Sequence, residues 1–170
     1  MIINFKKHNV DLYNTLLSLS RNIFFYKKLN LKDSFETRIY LMFFHFSIMM
    51  IVFKKKGKKF DQANYDHLFH SVENNLRELG FGDVSVNKKM KDLNKILYDI
   101  LLKIEKVRQN EFLLNEKLIT KYFKDITNKN EENYGYFNDY FKNFYNFCFE
   151  LSVNNMIREA IKFKFSYGSS

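Results

Sequence analysis

The run Ile39–Phe53, IYLMFFHFSIMMIVF, is apolar on all sides of a helix, and only His45 and Ser47 interrupt it. A helix that has no polar face must be surrounded by other helices or by lipid. A helix that crosses a bilayer needs about 20 mainly apolar residues, whereas this run has 15 and lies between Arg38 and Lys54. We therefore predict that the run forms the central helix of an all-α protein.

The composition favours long helices joined by short connections. The 170 residues are 46% hydrophobic and 28% charged, which is enough for one domain with a sizeable core. Proline is absent and there are only 5 glycines, which disfavours turn-rich β architectures. We predict a single-domain bundle of about six or seven helices over residues 1–165, followed by a flexible tail over residues 166–170.

Local signals predict where the first helices begin and end. Asp33 and Glu36 have the spacing of a capping box, which predicts that the central helix begins there. Gly57 is a natural end for that helix. The next helix is predicted to begin at the capping residue Asp61 and to end at Gly80.

The second half of the chain continues the helical pattern, and it shows no alternation typical of a β-strand. Apolar residues at spacings of three and four predict a long helix that is capped by Asp83 or Ser85 and extends to Val107. A further helix is predicted over residues 114–126. Aromatic residues cover most of the circumference of a helix over residues 134–149, so either this helix is buried on several sides or a partner covers it.

The charge of the chain favours acidic partners. The net charge is +9 and the pI is about 9.4, which suits RNA, anionic lipid or acidic protein surfaces. Five lysines form a dense basic surface, the lysine cluster: Lys54, Lys55, Lys56, Lys58 and Lys59. Two interpretations stay open for this cluster. It is a solvated helix end, where cations stabilise the helix dipole, or it contacts the phosphates of RNA or lipid.

The histidines and the cysteine have ordinary structural interpretations. His67 and His70 are close in sequence, but a metal site needs three or four ligands and no further histidine or cysteine is near them. His45 is interpreted as a buried, hydrogen-bonded neutral imidazole rather than as a haem or metal ligand. Cys148 is interpreted as a small core residue, and a single cysteine excludes an internal disulfide. We predict no catalytic residue, metal, cofactor or small-molecule substrate.

A motif in the middle of the chain resembles that of a known family. Its residues are Leu76-Arg77-Glu78-Leu79-Gly80-Phe81-Gly82-Asp83, followed by Val86, Lys88 and Lys89. An upstream block comprises Tyr13, Arg21, Phe25, Tyr26, Asp33, Arg38 and His45. Together they are similar to the ubiquinol–cytochrome c chaperone family, the assembly factors for cytochrome b of the bc1 complex, with departures at Thr37 and Phe44. The resemblance covers about residues 13–106 and is weaker as far as about residue 150.

The resemblance implies an all-α fold, no enzymatic activity, and a role beside a newly made membrane protein. In mitochondrial members the partners are a small second subunit, the ribosome and newly made cytochrome b. For this chain we expect a cytochrome b-like client and peripheral contact with a membrane. The alternative is a basic helical module that binds RNA, the ribosome or anionic membranes and has no respiratory client.

The turn of the motif is the predicted partner-binding site. Its candidate residues are Arg77, Glu78, Gly80, Gly82, Asp83, Lys88 and Lys89. Gly80 and Gly82 are expected to adopt backbone angles that other residues avoid. Asp83 is expected to cap the next helix and to pair with Arg77. A purely structural role for this turn also stays open.

The beginning of the chain bears on localisation. Met1–Phe5 is apolar, but Lys6, Lys7 and His8 follow it directly. This arrangement differs from that of a secretory signal peptide. We therefore expect a cytoplasmic protein, peripheral to the inner membrane.

Overall fold

The computed structural model describes residues 12–108, 111–127 and 131–167. Within these residues the chain forms eight α-helices and one short β-hairpin. The helices are α1 (12–20), α2 (Phe35–Lys55), α3 (Gln62–Glu78), α4 (Asp83–Lys103), α5 (Glu116–Tyr122), α6 (Lys124–Thr127), α7 (Glu131–Glu150) and α8 (Met156–Glu159). The strands are β1 (Glu105–Arg108) and β2 (Glu111–Leu114), and turns of π-helix and 3-10 helix lie at Phe24–Lys28 and Ala160–Lys162. The predicted all-α bundle is confirmed.

The central helix α2 begins one residue later than the sequence predicted. Ser34 is its N-cap, and the Ser34 side chain accepts a hydrogen bond from the Thr37 amide at 3.2 Å. The predicted capping box that begins at Asp33 is therefore wrong, because the neighbouring serine satisfies the free amide instead. Asp33 pairs with Arg38 at 2.6 Å. The helix ends where predicted, at Gly57, whose φ of +69° is a conformation that favours glycine.

Burial identifies α2 as the core helix of the bundle. Its 21 residues are long and apolar enough to cross a membrane, so the length of the apolar run does not by itself exclude a span. Its buried residues, however, are covered by the rest of the chain: Ile39, Leu41, Met42, Phe43, Phe44, His45, Phe46, Ser47, Ile48, Met49, Val52 and Phe53. The buried residues of all the helices join one hydrophobic core, at whose centre α2 packs against α4 and α7.

The contact between α2 and α7 contains a buried polar bridge. The His45 Nδ1 lies 2.6 Å from the Leu41 carbonyl oxygen, and the His45 Nε2 lies 2.8 Å from the Tyr140 hydroxyl. A carbonyl only accepts, so Nδ1 carries the proton and Nε2 accepts from Tyr140. Burial lowers the pKa of His45 to about 3. The predicted buried neutral imidazole is confirmed.

A β-hairpin replaces the end of the long helix that was predicted to extend to Val107. Helix α4 ends at Lys103, and β1 and β2 pair antiparallel from Glu105 opposite Leu114 to Arg108 opposite Glu111. The prediction that the helix reaches Val107, with no β-structure after it, was wrong. The predicted helix over 114–126 likewise begins later, as α5, and breaks at Phe123 before α6.

Packing against α7 accounts for the hairpin. Phe112 and Leu114 point to the buried side of β2, and the Phe112 ring stacks on Tyr145 with centroids 4.7 Å apart. Asn115 closes the hairpin, since its backbone amide donates to the Ile104 carbonyl at 2.8 Å. Four alternating residues are too few to distinguish a strand from a helix by sequence pattern.

The aromatic helix α7 is buried on one broad face, a sector of about 140° around the helix, rather than on several sides. Its Phe149 is 41% exposed. Its buried residues include Phe137, Tyr140, Phe141, Phe144, Tyr145 and Cys148. Helix α8 is tied to α1: the Thr15 hydroxyl donates to the Ile157 carbonyl at 3.0 Å. In the predicted tail, the Tyr167 ring lies 5.0 Å from the Phe24 ring, while 168–170 are outside the described residues, as is the chain start used to predict localisation.

Candidate partner-binding site

The turn between α3 and α4 is held by backbone hydrogen bonds. Gly80 has a φ of +96°, which favours glycine. Its amide donates to the Arg77 carbonyl at 3.0 Å, and the Phe81 amide donates to the Leu76 carbonyl at 3.3 Å. These two bonds are the Schellman motif that commonly ends a helix. The turn therefore presents Phe81 from a defined backbone conformation.

Two expectations about this turn were wrong. Gly82 has a φ of −75° and a ψ of 166°, angles that any residue adopts, and it is the N-cap of α4. Asp83 is the first residue of α4 and not its cap, because Gly82 has the extended backbone conformation of an N-cap residue. The Asp83 carboxylate still lies at the positive end of the α4 dipole, where a negative charge is stabilising.

Arg77 connects the two helices across the turn. Its guanidinium bonds Glu73 at 3.0 Å on α3, and it also pairs with Asp83 on α4, as predicted. Water screens exposed ion pairs and leaves them little effect on stability, so this bridge positions the helices more than it stabilises them. Glu78 and Lys88 are exposed to solvent. The predicted site residues lie at the end of α3, in the turn, and at the start of α4.

The sequence interpretation missed an apolar group at this turn. Leu79 is 56% exposed, Phe81 39% and Val84 86%; we call these three residues the tip. The Lys89 ammonium lies 4.6 Å from the centre of the Phe81 ring, a cation–π contact. The signal in the sequence was the position of these large apolar residues beside Gly80 and Gly82, since a turn at the surface exposes its side chains. The tip is therefore a candidate interaction site.

The structure divides the lysine cluster into two kinds of residue. Lys55 bonds Glu105 of the hairpin and the Tyr145 hydroxyl, the latter at 3.1 Å. Burial alone would lower the pKa of Lys55, but these two bonds outweigh it and the pKa lies above its usual value. Lys54, Lys58 and Lys59 are exposed. Among the described residues these three have no ion-pair partner.

Lys56 has a structural role at the end of another helix. Its ammonium donates to the Leu151 carbonyl, just beyond the last residue of α7, and lies 5.3 Å from the centre of the Phe149 ring. Helix α7 has no basic residue in its own last turn. Lys56 therefore supplies the cation that stabilises the negative end of that helix.

The tip and the lysine cluster lie at opposite ends of α3. This helix has 17 residues, and a rise of 1.5 Å per residue separates its ends by about 25 Å. The structure does not bring the two predicted surfaces together. Any partner that contacts both must extend along the bundle.

The two exposed histidines and the cysteine do not form a reactive or metal-binding site within the described residues. His67 and His70 are exposed, and the His70 Nδ1 lies 3.9 Å from a Glu73 carboxylate oxygen. Over 12–108, 111–127 and 131–167, no group of three or more ligating side chains is placed to hold a metal ion. Cys148 is buried, and burial raises the pKa of its thiol. Burial thus keeps this thiol protonated and unreactive.

The described part of the protein thus combines an all-α fold with an exposed apolar turn and open lysines. The family model for the ubiquinol–cytochrome C chaperone matches residues 27–132, well over half of the chain. The chain belongs to the ubiquinol–cytochrome c chaperone family. The matched segment includes α2, the lysine cluster and the α3–α4 turn. No curated protein matches the chain, and no solved structure matches it.

Proposed function

We propose that this protein is a non-enzymatic assembly chaperone that binds newly made cytochrome b, or a related respiratory subunit, before the bc1 complex is complete. Membership of the chaperone family supports a protein client in general. The observation that favours an apolar client is the tip, since Leu79, Phe81 and Val84 are exposed within the family-matched segment. We further propose that the protein works in the cytoplasm, at the inner face of the membrane.

The tip suits a membrane-protein client for two physical reasons. Newly made membrane segments expose apolar side chains, which associate with other apolar surface in water. The Schellman turn fixes the backbone that carries Leu79 and Phe81, so little conformational freedom is lost when they bind. Arg77, Glu78 and Lys88 surround these side chains with charge, as the polar rim of an interface does.

The test is affinity purification of the tagged protein from solubilised membranes. We expect to recover cytochrome b or another bc1 subunit, and we expect reduced bc1 complex in a deletion strain. A Leu79→Ser, Phe81→Ser variant should recover at least about fivefold less client. The matched control is Ile161→Ser, which changes an exposed apolar residue elsewhere. Recovery of no respiratory subunit, together with normal bc1 levels in the deletion strain, would refute the proposal.

A second candidate function rests on the open lysines. Lys54, Lys58 and Lys59 are exposed at the far end of α3, where they are available to RNA phosphates of the ribosome. Affinity for RNA should then fall steeply with salt, because phosphate contacts release counterions. Charge reversal of the three lysines should flatten that dependence. An RNA affinity that does not respond to salt excludes this candidate.

A further inference from the structure

Helix α4 presents an exposed row that extends well beyond Val84 and Lys88, the two members that the chaperone proposal uses. Four of its members are 3 or 4 positions apart, and the last lies 7 positions further: Val84, Lys88, Lys91, Lys95 and Leu102. At 3.6 residues per turn these five side chains fall within a sector of about 60°. The buried residues of α4 are Val86, Leu93, Leu97 and Ile100, which lie on the opposite face. The row therefore points directly away from the core.

The row is apolar at both ends and cationic between them. Val84 and Leu102 are 86% and 78% exposed. Lys88, Lys91 and Lys95 are exposed, and the described residues provide no ion-pair partner for them. Leu102 lies eighteen positions after Val84, which places the two ends about 27 Å apart along a straight helix. No carboxylate belongs to the row.

The acidic residues near the row are accounted for. Asp99 pairs with Lys103 and with Lys121, the latter at 2.7 Å, and Asp83 pairs with Arg77. Asp92 is exposed at the edge of the row, about 40° around the helix from Lys88, and no ion pair joins it to the three lysines among the described residues. Anionic surfaces that approach the row therefore meet three unpaired ammonium groups first.

We infer that this face of α4 is a docking surface for a membrane that contains anionic lipid. Three ammonium groups match lipid phosphates, and each cation near such a surface favours binding about fivefold. The two exposed apolar residues then enter the boundary between headgroups and acyl chains, as in helices that lie in the membrane interface. Nucleic acid would match the lysines but would leave Val84 and Leu102 without a function. A flat bilayer contacts the whole row at once.

This inference rests on the proposed location at the inner face of the membrane and names the surface that makes the contact, but it does not depend on the identity of the client. Val84 is both a tip residue and the first residue of the row. A bilayer that contacts α4 therefore brings the tip to the membrane surface. There, the tip is close to proteins that are being inserted.

The first experiment measures cosedimentation of the full chain with vesicles. Binding should be strong to vesicles of phosphatidylcholine with phosphatidylglycerol, weak to phosphatidylcholine alone, and lower at high salt. Lys88→Glu, Lys91→Glu, Lys95→Glu should reduce binding at least about fiftyfold. The matched variant Lys54→Glu, Lys58→Glu, Lys59→Glu has the same net charge and should retain binding within about threefold. Equal losses in both triple variants would overturn the proposal, because they would reflect net charge alone.

The apolar ends of the row are tested by a second measurement. Because the sequence contains no Trp, Leu102→Trp or Val84→Trp introduces a single fluorescent reporter. Its emission should shift to the blue when anionic vesicles are added, whereas Ile23→Trp, at an exposed site outside α4, should not shift. Emission that does not shift at either end would overturn the lipid assignment. So would a protein that short RNA displaces from the vesicles and whose vesicle binding is unchanged by Val84→Ser and Leu102→Ser. The single variant Lys91→Gln, which should lose about fivefold in binding, serves if the triple variant does not fold.

Discussion

Large aromatic residues occur both at the α2–α7 contact and at the α3–α4 tip, with opposite surroundings. Phe44 is fully buried, and its ring lies 5.1 Å from that of Phe123 and 5.5 Å from that of Phe141. Phe81 is 39% exposed, with the Lys89 ammonium beside its ring. The first arrangement stabilises the fold, whereas the second leaves apolar area in water. The difference indicates that stability and binding are carried by separate parts of the molecule.

The largest effect should come from truncation of the core aromatic. Phe44→Ala should lower the free energy of unfolding by about 3–5 kcal/mol, because it removes buried area and leaves a cavity. Phe81→Ala should cost about 1 kcal/mol, since the partly exposed ring loses a cation–π contact and only part of a full burial. Chemical denaturation measures both. Similar losses in the two variants would show that the tip also belongs to the core.

Mild acid should destabilise the core through His45. The folded pKa is about 3, below the ordinary value of about 6.5, so only the unfolded chain binds a proton between these values. The contribution of His45 is complete above pH 6.5 and is lost as the pH falls toward 3, by about 1.4 kcal/mol for each pH unit. Denaturation at several pH values measures this slope. His67→Gln, which changes an exposed histidine, should leave the slope intact; a flat profile from pH 6.5 to 5 would contradict a buried neutral imidazole.

Removal of the hydroxyl that faces His45 should have a smaller effect. Tyr140→Phe leaves the His45 Nε2 buried without a donor, which should cost about 1–3 kcal/mol. Tyr167→Phe changes a half-exposed ring and should cost less than about 0.5 kcal/mol. Thermal or chemical unfolding of the pair provides the comparison. An unchanged stability of Tyr140→Phe would mean that water replaces the hydroxyl.

The smallest effect separates the two glycines of the turn. Gly80→Ser should cost about 1 kcal/mol, because a φ of +96° is unfavourable for a residue with a side chain. Gly82→Ser should be neutral or should stabilise the protein by about 0.3 kcal/mol, since serine is a better N-cap than glycine. An added Cβ meets no atom within 4 Å at either position. Equal effects of the two substitutions would therefore argue against a backbone origin.

Much of the fold could be predicted from local signals, and the errors arose from distant contacts. The central helix and the glycines that end α2 and α3 depend on residues close in sequence. The hairpin depends on the contact of Phe112 with Tyr145 of α7, which no local pattern reveals. The spacing of Ile104 and Val107 suits a helix equally well.

The candidate site was predictable in position but not in character. The motif identified the turn and the pairing of Arg77 with Asp83. It did not reveal which apolar residues remain exposed, because exposure depends on packing of the whole bundle. The lysine cluster was visible as a group, yet the partners of Lys55 and Lys56 lie 50 and 95 residues away. Only the structure distinguishes its structural lysines from its open ones.

The bridge from His45 to Tyr140 has a consequence for what counts as a folding unit. The family match ends at residue 132, at the very beginning of α7, whereas the covering side chains of α2 come from later in that helix. A fragment cut at the limits of the match would turn the most apolar helix outward and should aggregate in dilute buffer. The segment that the family model matches is thus shorter than the segment that can fold on its own.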